Sequence, residues 1–277
     1  MGGLAYRHHR VQRLRRLVGR SSFRSEEGRF VVEGARVLGV ALDSGAGVES
    51  VYVERAMVRP GDGVAEAARR CVEAGARVFD LEEGVLARVS ATVSPQPVVA
   101  VVMANDLALA DLGARRPDLV VVGVDLRDPG NAGAVLRAAE AAGAGAVVSC
   151  GSSVDLFNPK AVRASAGAVF LVPVVAGGPA EEVLEVVGRW GLRRLGTVAR
   201  GGQDYATADL RGPTAIVVGN EASGLPQQVE SCLDGRLTIP MAGRSESLNV
   251  AMATAVVCFE AARQRRPAYG GPGTERP

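Results

Sequence analysis

Lysine is almost missing from this chain: Lys160 is the only one among 277 residues, and every other basic side chain apart from two histidines is arginine. Without a second lysine there is no G-x-x-x-x-G-K-S/T run, which excludes the usual phosphate cradle of nucleoside-triphosphate enzymes. Histidine is as scarce. His8 and His9 sit side by side with no carboxylate or cysteine at ligand spacing, so they read as surface residues. The four cysteines, Cys71, Cys150, Cys232 and Cys258, are far apart and form no C-x-x-C pair. That spacing excludes a zinc site and a disulfide framework, leaves no metal to expect, and points to a cytoplasmic setting. Aromatic residues make up only 4% of the chain, too few for a platform on which bases stack. No run of 18 apolar residues occurs, and the arginine-rich start lacks the apolar stretch of a signal peptide, so no membrane association is expected.

The chain has 47% hydrophobic and 22% charged residues, a globular composition with room for one large or two modest domains. Ala, Val and Gly dominate, which predicts small-residue α/β packing. Net charge is only +2, but it is unevenly placed. Residues 1–30 hold Arg7, Arg10, Arg13, Arg15, Arg16, Arg20, Arg24 and Arg29 against Glu26 and Glu27, a net +6 that leaves −4 on the remaining 247 residues. Such an arm suits contacts with nucleic-acid phosphate, with Arg13, Arg16, Arg20 and Arg24 the candidates; a solvated helix face would have the same composition.

Val11, Leu14, Leu17 and Val18 fall on one face of a basic amphipathic helix over residues 10–20. Short apolar runs then alternate with helical segments. Strands are expected at Phe30–Val32, Val51–Val53, Val78–Phe79 and Val98–Met103, with helices near Ala35–Leu42 and Val64–Ala74, so residues 1–105 form the arm and a small α/β unit. Residues 106–117, rich in Asp, Arg, Gly and Pro, read as a linker. The continuous apolar run Leu119–Val124 opens the second unit, as expected of a strand buried on both faces. A helix over Ala132–Ala142 follows, then strands near Ala146–Ser149, Val172–Val175, Leu195–Val198, Ala215–Val218 and Leu237–Ile239, and a last helix over Leu248–Arg263. This pattern predicts a largely parallel sheet flanked by helices across residues 118–264. Residues 265–277, with three prolines and three glycines, read as a disordered tail.

Three polar joints lie at strand-to-helix turns. Asn131 follows the run Leu119–Val124 and suits a helix N-cap, while Arg137 stands in a helix otherwise made of small and apolar residues with one acid, Glu140. Such an arginine needs a helix edge, an ion-pair partner or an anion. Gly219-Asn220-Glu221 falls at the carboxyl end of an expected parallel strand, where ligands of open α/β sheets gather, although an ordinary strand-to-helix turn fits as well. Glu221 would there be placed to pair with Arg137. The third joint runs from Ile239 through Met241 to Ser247, Leu248 and Asn249, a strand end, a polar turn and a helix start with Ser247 as a favoured cap. On Asn158-Pro159-Lys160-Ala161-Val162-Arg163, Arg163 is a further candidate for RNA phosphate or a plain surface cation. Neither Gly143-Ala144-Gly145 nor Gly177-Gly178 is a G-x-G-x-x-G after a first strand, so a dinucleotide site is disfavoured.

Taken in order, Asn131-x-x-Ala134-x-x-Arg137, Gly219-x-Glu221-x-x-Gly224-Leu225 and the stretch Ile239 to Ala251 resemble the three motifs of the SpoU (TrmH-like) family of RNA ribose 2′-O-methyltransferases. The resemblance covers roughly residues 118–264 and implies S-adenosylmethionine as cofactor, a deep trefoil knot and a homodimer. It implies catalytic roles for Asn131, Arg137, Glu221, Ser247 and Asn249, and cofactor contacts at Gly219, Asn220, Ile239, Met241 and Leu248. More loosely, residues 1–105 are similar to the ribosomal-protein-L30-like substrate domain often attached to this family. The implied substrate is structured RNA, foremost 23S ribosomal RNA. A tRNA loop, a ribosomal site whose methylation confers antibiotic resistance, and a non-catalytic RNA-binding protein are the alternatives. The resemblance implies Arg137 as proton acceptor; a guanidinium is a poor base near neutrality, so Arg137 is expected to grip phosphate and stabilise a developing alkoxide, oriented by Glu221 and Asn131, with the base role left as the alternative.

Overall fold

The structure, a computed structural model, describes residues 2–92 and 94–266. Four strands form the first sheet: β1 (Arg29–Glu33), β2 (Val48–Val53), β3 (Arg77–Asp80) and β4 (Val98–Met103), in the order β1-β4-β2-β3. Strand β4 lies antiparallel to β1 and β2, and β3 joins β2 in parallel. Because side chains alternate along a strand, the sheet has two covered faces. Val31, Tyr52, Val99 and Val101 pack against Val11, Leu14 and Leu17 of the helix His9–Gly19. Phe30, Val32, Val51, Val53 and Val98 face the other way, toward Leu38 and the helix Val64–Glu73.

The second sheet has seven strands, all parallel: β5 (Leu119–Val124), β6 (Ala146–Cys150), β7 (Val174–Gly178), β8 (Arg193–Thr197), β9 (Gln203–Asp204), β10 (Thr214–Val218) and β11 (Gly235–Thr238). Their order is β7-β6-β5-β10-β8-β11-β9. Strands β5 and β10 sit side by side near the middle and are buried along their whole lengths, which is why both read as unbroken apolar runs. The helices Pro129–Ala141 and Val250–Arg265 pack together over this sheet. Gly133 permits a second close approach, since a Cβ there would lie 2.3 Å from the carbonyl oxygen of Ala161 in the helix Pro159–Ala164.

Several expectations change. Residues 106–117 are no open linker: Leu109–Ala114 is helical, Leu112 is fully buried, and Leu107 N–H donates to the Val174 carbonyl at 2.9 Å. The two sheets share a continuous core, with Phe30 of β1 tilted against Phe157 at a ring distance of 4.8 Å and stacked on Phe170 at 5.6 Å. The last helix starts and ends two residues later than its apolar pattern predicted, so Arg265, assigned to the tail, is helical. The rest of that tail, from Pro267, lies outside the described residues.

Candidate active site

The order of the sheet brings the three polar joints together. Strands β5, β10, β8 and β11 are consecutive neighbours and parallel, so the turns after β5, β10 and β11 emerge on one edge. After β5 the helix begins at Pro129, capped by Asp128, whose carboxylate accepts from Asn131 N–H at 2.7 Å. Asn131 is therefore in the first turn and is not the cap that its residue type suggested, which leaves its side chain free for longer reach. After β10, Asn220 and Gly224 close a tight loop through two backbone hydrogen bonds of 3.0 and 2.9 Å. Gly219 is required there, because a Cβ would come within 2.4 Å of the Gly224 backbone. Past β11 the cap of the final helix is Asn249, not Ser247: Asn249 Oδ1 accepts from Ala251 N–H at 2.9 Å, and Ser247 is exposed on the preceding loop.

A directional chain of hydrogen bonds joins the three motifs. Asn249 Nδ2 donates to Asn131 Oδ1 at 2.8 Å, and Asn131 Nδ2 donates to Glu221 Oε1 at 3.0 Å. The ionised carboxylate can only accept, so it fixes which end of the Asn131 amide faces it; Asn131 in turn fixes Asn249, whose oxygen is left for the helix cap. Burial works to raise the Glu221 pKa, but hydrogen bonds from Asn131 and from the backbone amides of Glu221, Arg127 and Asp128 together hold it below the usual carboxylate value. Behind this chain, Asn220 Nδ2 donates to the Asp125 carbonyl at 2.9 Å, tying the end of β10 to the end of β5. Asp125 has φ +54°, a left-handed conformation, and its carboxylate accepts from Ser152 N–H at 2.7 Å.

Beside the chain lies a cavity of about 370 Å³, in the size range of small-molecule sites. Gly219, Asn220, Ile239, Met241, Ser247 and Leu248 all line it, together with Glu221. Leu225 and Val250, which belong to the second and third motifs, also line it, as does Thr197, which was not singled out from the sequence. The place of Thr197 follows from β8 pairing with β10, a neighbourhood that no local pattern encodes. The lining contains Glu221 and Glu230 and no Arg, Lys or His. A ligand with several phosphates would find no counter-charge here, whereas one bearing positive charge fits.

The arginines divide sharply. Arg137 is exposed, outside the cavity lining, and has no carboxylate within 4.0 Å among the described residues. The expected Glu221–Arg137 pair is absent because the Glu221 carboxylate is taken up by Asn131 and the Arg127 amide. Arg163 is likewise exposed, as are Arg16 and Arg20. Arg13 does not fit the RNA-contact expectation: it bridges Glu27 at 2.6 Å and Glu49 at 2.5 Å. Nor does Arg24, which is 5% exposed, paired with Asp155 at 2.6 Å and bonded to the Leu17 carbonyl, so it ties the first domain to the second. Sequence alone counted both as free charge because their partners are distant along the chain.

The model of the SpoU rRNA Methylase family matches residues 118–259, and that of an MRM3-like substrate binding domain matches residues 8–100. The chain belongs to the SpoU rRNA methylase family. It is 31% identical to the 23S rRNA (uridine(2479)-2′-O)-methyltransferase of Streptomyces viridochromogenes, over 94% of this chain and 91% of that one. With the 23S rRNA (guanosine(2553)-2′-O)-methyltransferase RlmP of Bacillus subtilis it shares 31% identity over 85% of this chain and 89% of the relative. Among solved structures, the SpoU methyltransferase AviRb of Streptomyces viridochromogenes in complex with AdoMet superposes with a TM-score of 0.81 at 31% identity, covering 94% of this chain and 98% of that one.

Proposed function

We propose that this SpoU-family protein methylates a ribose 2′-hydroxyl in 23S ribosomal RNA, with S-adenosylmethionine as methyl donor. The observation that carries the reading is the Asn249–Asn131–Glu221 chain beside a cavity that contains carboxylates and no cation. Those residues fit the donor: apolar Ile239, Leu248 and Leu225 offer surface to a purine and Glu221 offers charge to a cationic ligand, while a dinucleotide's phosphates would go unmatched. The relatives with AdoMet in their structures and 23S rRNA in their names support the same choice.

When bound, the donor would supply an electrophilic methyl to the ribose oxygen, with its thioether as the leaving group and the hydroxyl proton passing to water. The protein's contribution is alignment and charge. Gly219, Asn220, Ile239, Met241 and Leu248 would hold the donor. Arg137, with no ion-pair partner among the described residues, would grip the acceptor nucleotide's phosphate and stabilise the alkoxide oxygen. Glu221, through Asn131 and Asn249, would keep the two helix starts in register, with Ser247 contacting the ligand from the loop. Arg163 would add a phosphate contact.

The same reading extends to architecture. The path between β10 and the final helix is assigned to a deep trefoil knot, and the first domain to the L30-like class. A homodimer is proposed on the exposed stripe of Met252 and Phe259, 61% and 44% accessible on the final helix. Ala251 of that helix is buried within its own chain, whereas Met252 and Phe259 are its exposed large apolar side chains. No helix among the described residues is long and apolar enough to cross a membrane, and a cytoplasmic setting suits a ribosomal substrate.

Two measurements test the function. Calorimetry on the full chain should give binding of S-adenosylmethionine and none of NADH or ATP. Mapping of 2′-O-methylation in cells with and without the gene should show one 23S nucleotide losing its methyl. Tight binding of a control nucleotide with none of the donor would sink the assignment, and a lost methyl in tRNA alone would move the substrate.

A further inference from the structure

We propose that a groove on the first domain, walled by the helix His9–Gly19 and by Arg88, holds a run of RNA sugar-phosphate backbone away from the methyl-transfer site. The proposal rests on the RNA reading above and locates where the polyanion is attracted. Apart from residues 1–30 the chain has net charge −4, so attraction for RNA has to come from local clusters and not from the molecule as a whole.

Within the arm, Arg13, Arg24 and Arg29 are neutralised by Glu27, Glu49 and Asp155. Arg15, Arg16 and Arg20 have no carboxylate partner among the described residues, and they converge with Arg88, from a different helix, on a groove of about 500 Å³. No acidic residue lines it; Gln12 supplies the other polar side chain. Arg88 was not singled out from the sequence, because 58 or more residues separate it from the arm. Four guanidiniums around one hollow repel one another unless an anion lies between them.

Three of the four are also held in place. Arg88 stacks over the Tyr6 ring at 3.5 Å, Arg15 reaches the same ring at 5.8 Å, and Arg16 lies over Phe23 at 3.7 Å. Stacking uses the flat faces and leaves the N–H edges free to fork onto phosphate oxygens, and it lowers the entropy lost on binding. An exposed basic face kept only for solubility needs neither the aromatic seats nor the convergence of two helices. Three or four separated cations match successive phosphodiesters better than a single free phosphate. An acidic protein segment is the competing partner, and the test decides against or for it.

The test uses full-length protein, a fluorescent hairpin of ribosomal sequence, and titrations from low to moderate KCl. Arg15→Gln/Arg88→Gln should lose about tenfold or more in RNA affinity. Its log Kd against log salt slope should flatten by about two, one for each phosphate contact removed. Arg15→Lys/Arg88→Lys should recover most of the slope, though less of the affinity. Arg36→Gln/Arg59→Gln removes the same charge from exposed positions that have no carboxylate partner among the described residues, on the side of the sheet facing away from the N-terminal helix, and should leave the slope nearly unchanged. Thermal unfolding and S-adenosylmethionine calorimetry on each variant exclude misfolding.

Equal flattening by both Gln pairs, or by neither, would overturn the groove. So would polyglutamate binding lost on Arg15→Gln/Arg88→Gln while RNA binding persists, which would assign the face to an acidic protein. The two readings fail separately. Wild-type methyl transfer with RNA binding indifferent to the groove variants rejects the groove alone; groove-dependent RNA binding without any transfer rejects the enzymatic reading alone.

Discussion

At the carboxyl edge of the second sheet, polar groups satisfy one another; around the groove beside the first helix of the chain, they do not. Asn249, Asn131 and Glu221 form a closed series in which each amide's orientation is dictated by the next, ending on a carboxylate. Around the groove of the first domain, Arg15, Arg16, Arg20 and Arg88 present donors that nothing in the described chain accepts. The first region is organised for position and the second for charge. Position is sensitive to single-atom substitutions and indifferent to salt, whereas charge is sensitive to salt and tolerant of where each cation sits. Arg137, on the helix whose first turn holds Asn131 and without a carboxylate partner among the described residues, is the cation proposed to join them.

The largest effect should therefore come from Arg137. Arg137→Ala should reduce single-turnover methyl transfer by about 100-fold or more, the scale for removing one donor that stabilises developing negative charge. Affinity for S-adenosylmethionine should hold, because Arg137 does not line the cavity. Arg137→Lys keeps a charge but loses the planar fork, so a phosphate-gripping role predicts severe loss here too. A simple base role would tolerate lysine better, since its pKa shifts more readily. Near-normal transfer by Arg137→Ala, with folding verified, would remove the residue from the mechanism.

What was readable from sequence followed from local physics. Leu119–Val124 is apolar at every position because both faces of β5 are covered, and the strand occupies those six residues. The order of the three motifs placed Asn131, Glu221 and Asn249 at turns, and parallel strands then put the turns on one edge. What was hidden depends on distant partners. Arg24 meets Asp155 across 131 residues, and Arg13 meets Glu49 across 36. Cap identity also escaped, since Asp128 outcompetes Asn131 and Asn249 outcompetes Ser247 at positions where each residue type is acceptable. The two-residue strand β9 has no pattern long enough to read.

A smaller effect should come from cutting the amide chain. Asn131→Ala removes the donor to Glu221 and the acceptor for Asn249, and a lost hydrogen bond to a charged group predicts a fall in transfer of about tenfold. Asn131→Asp is more telling. It sets a second carboxylate at hydrogen-bond distance from Glu221, so one of the two must take up a proton at a raised pKa. Transfer by Asn131→Asp should then recover as pH is lowered toward the point where that proton is shared, because the protonated acid can donate where the amide did. Wild-type Glu221, already held below its ordinary value, stays ionised across that range. A flat profile for Asn131→Asp would show that the chain does not orient the site.

The smallest effect concerns the cations of the arm that are already paired. Glu49 is held below the usual carboxylate value first by the Arg13 hydrogen bond, against the opposing effect of burial, with Arg29 assisting. A carboxylate with a depressed folded-state pKa adds stability that is present above its unfolded value near 4.5 and is lost as pH falls through the folded value. Glu49→Gln should thus lower stability near neutrality by about 1 kcal/mol, the scale for a partly exposed pair, with the deficit closing as pH falls through the depressed folded-state value. Thermal melts between acid and neutral pH measure it. RNA binding should move the opposite way: loss of Glu49 releases Arg29 and part of Arg13 beside the arm, so the salt slope should steepen where groove variants flatten it. A flattened slope in Glu49→Gln would mean that the paired arginines were contacting RNA after all, and the division between structural and RNA-seeking cations would fail.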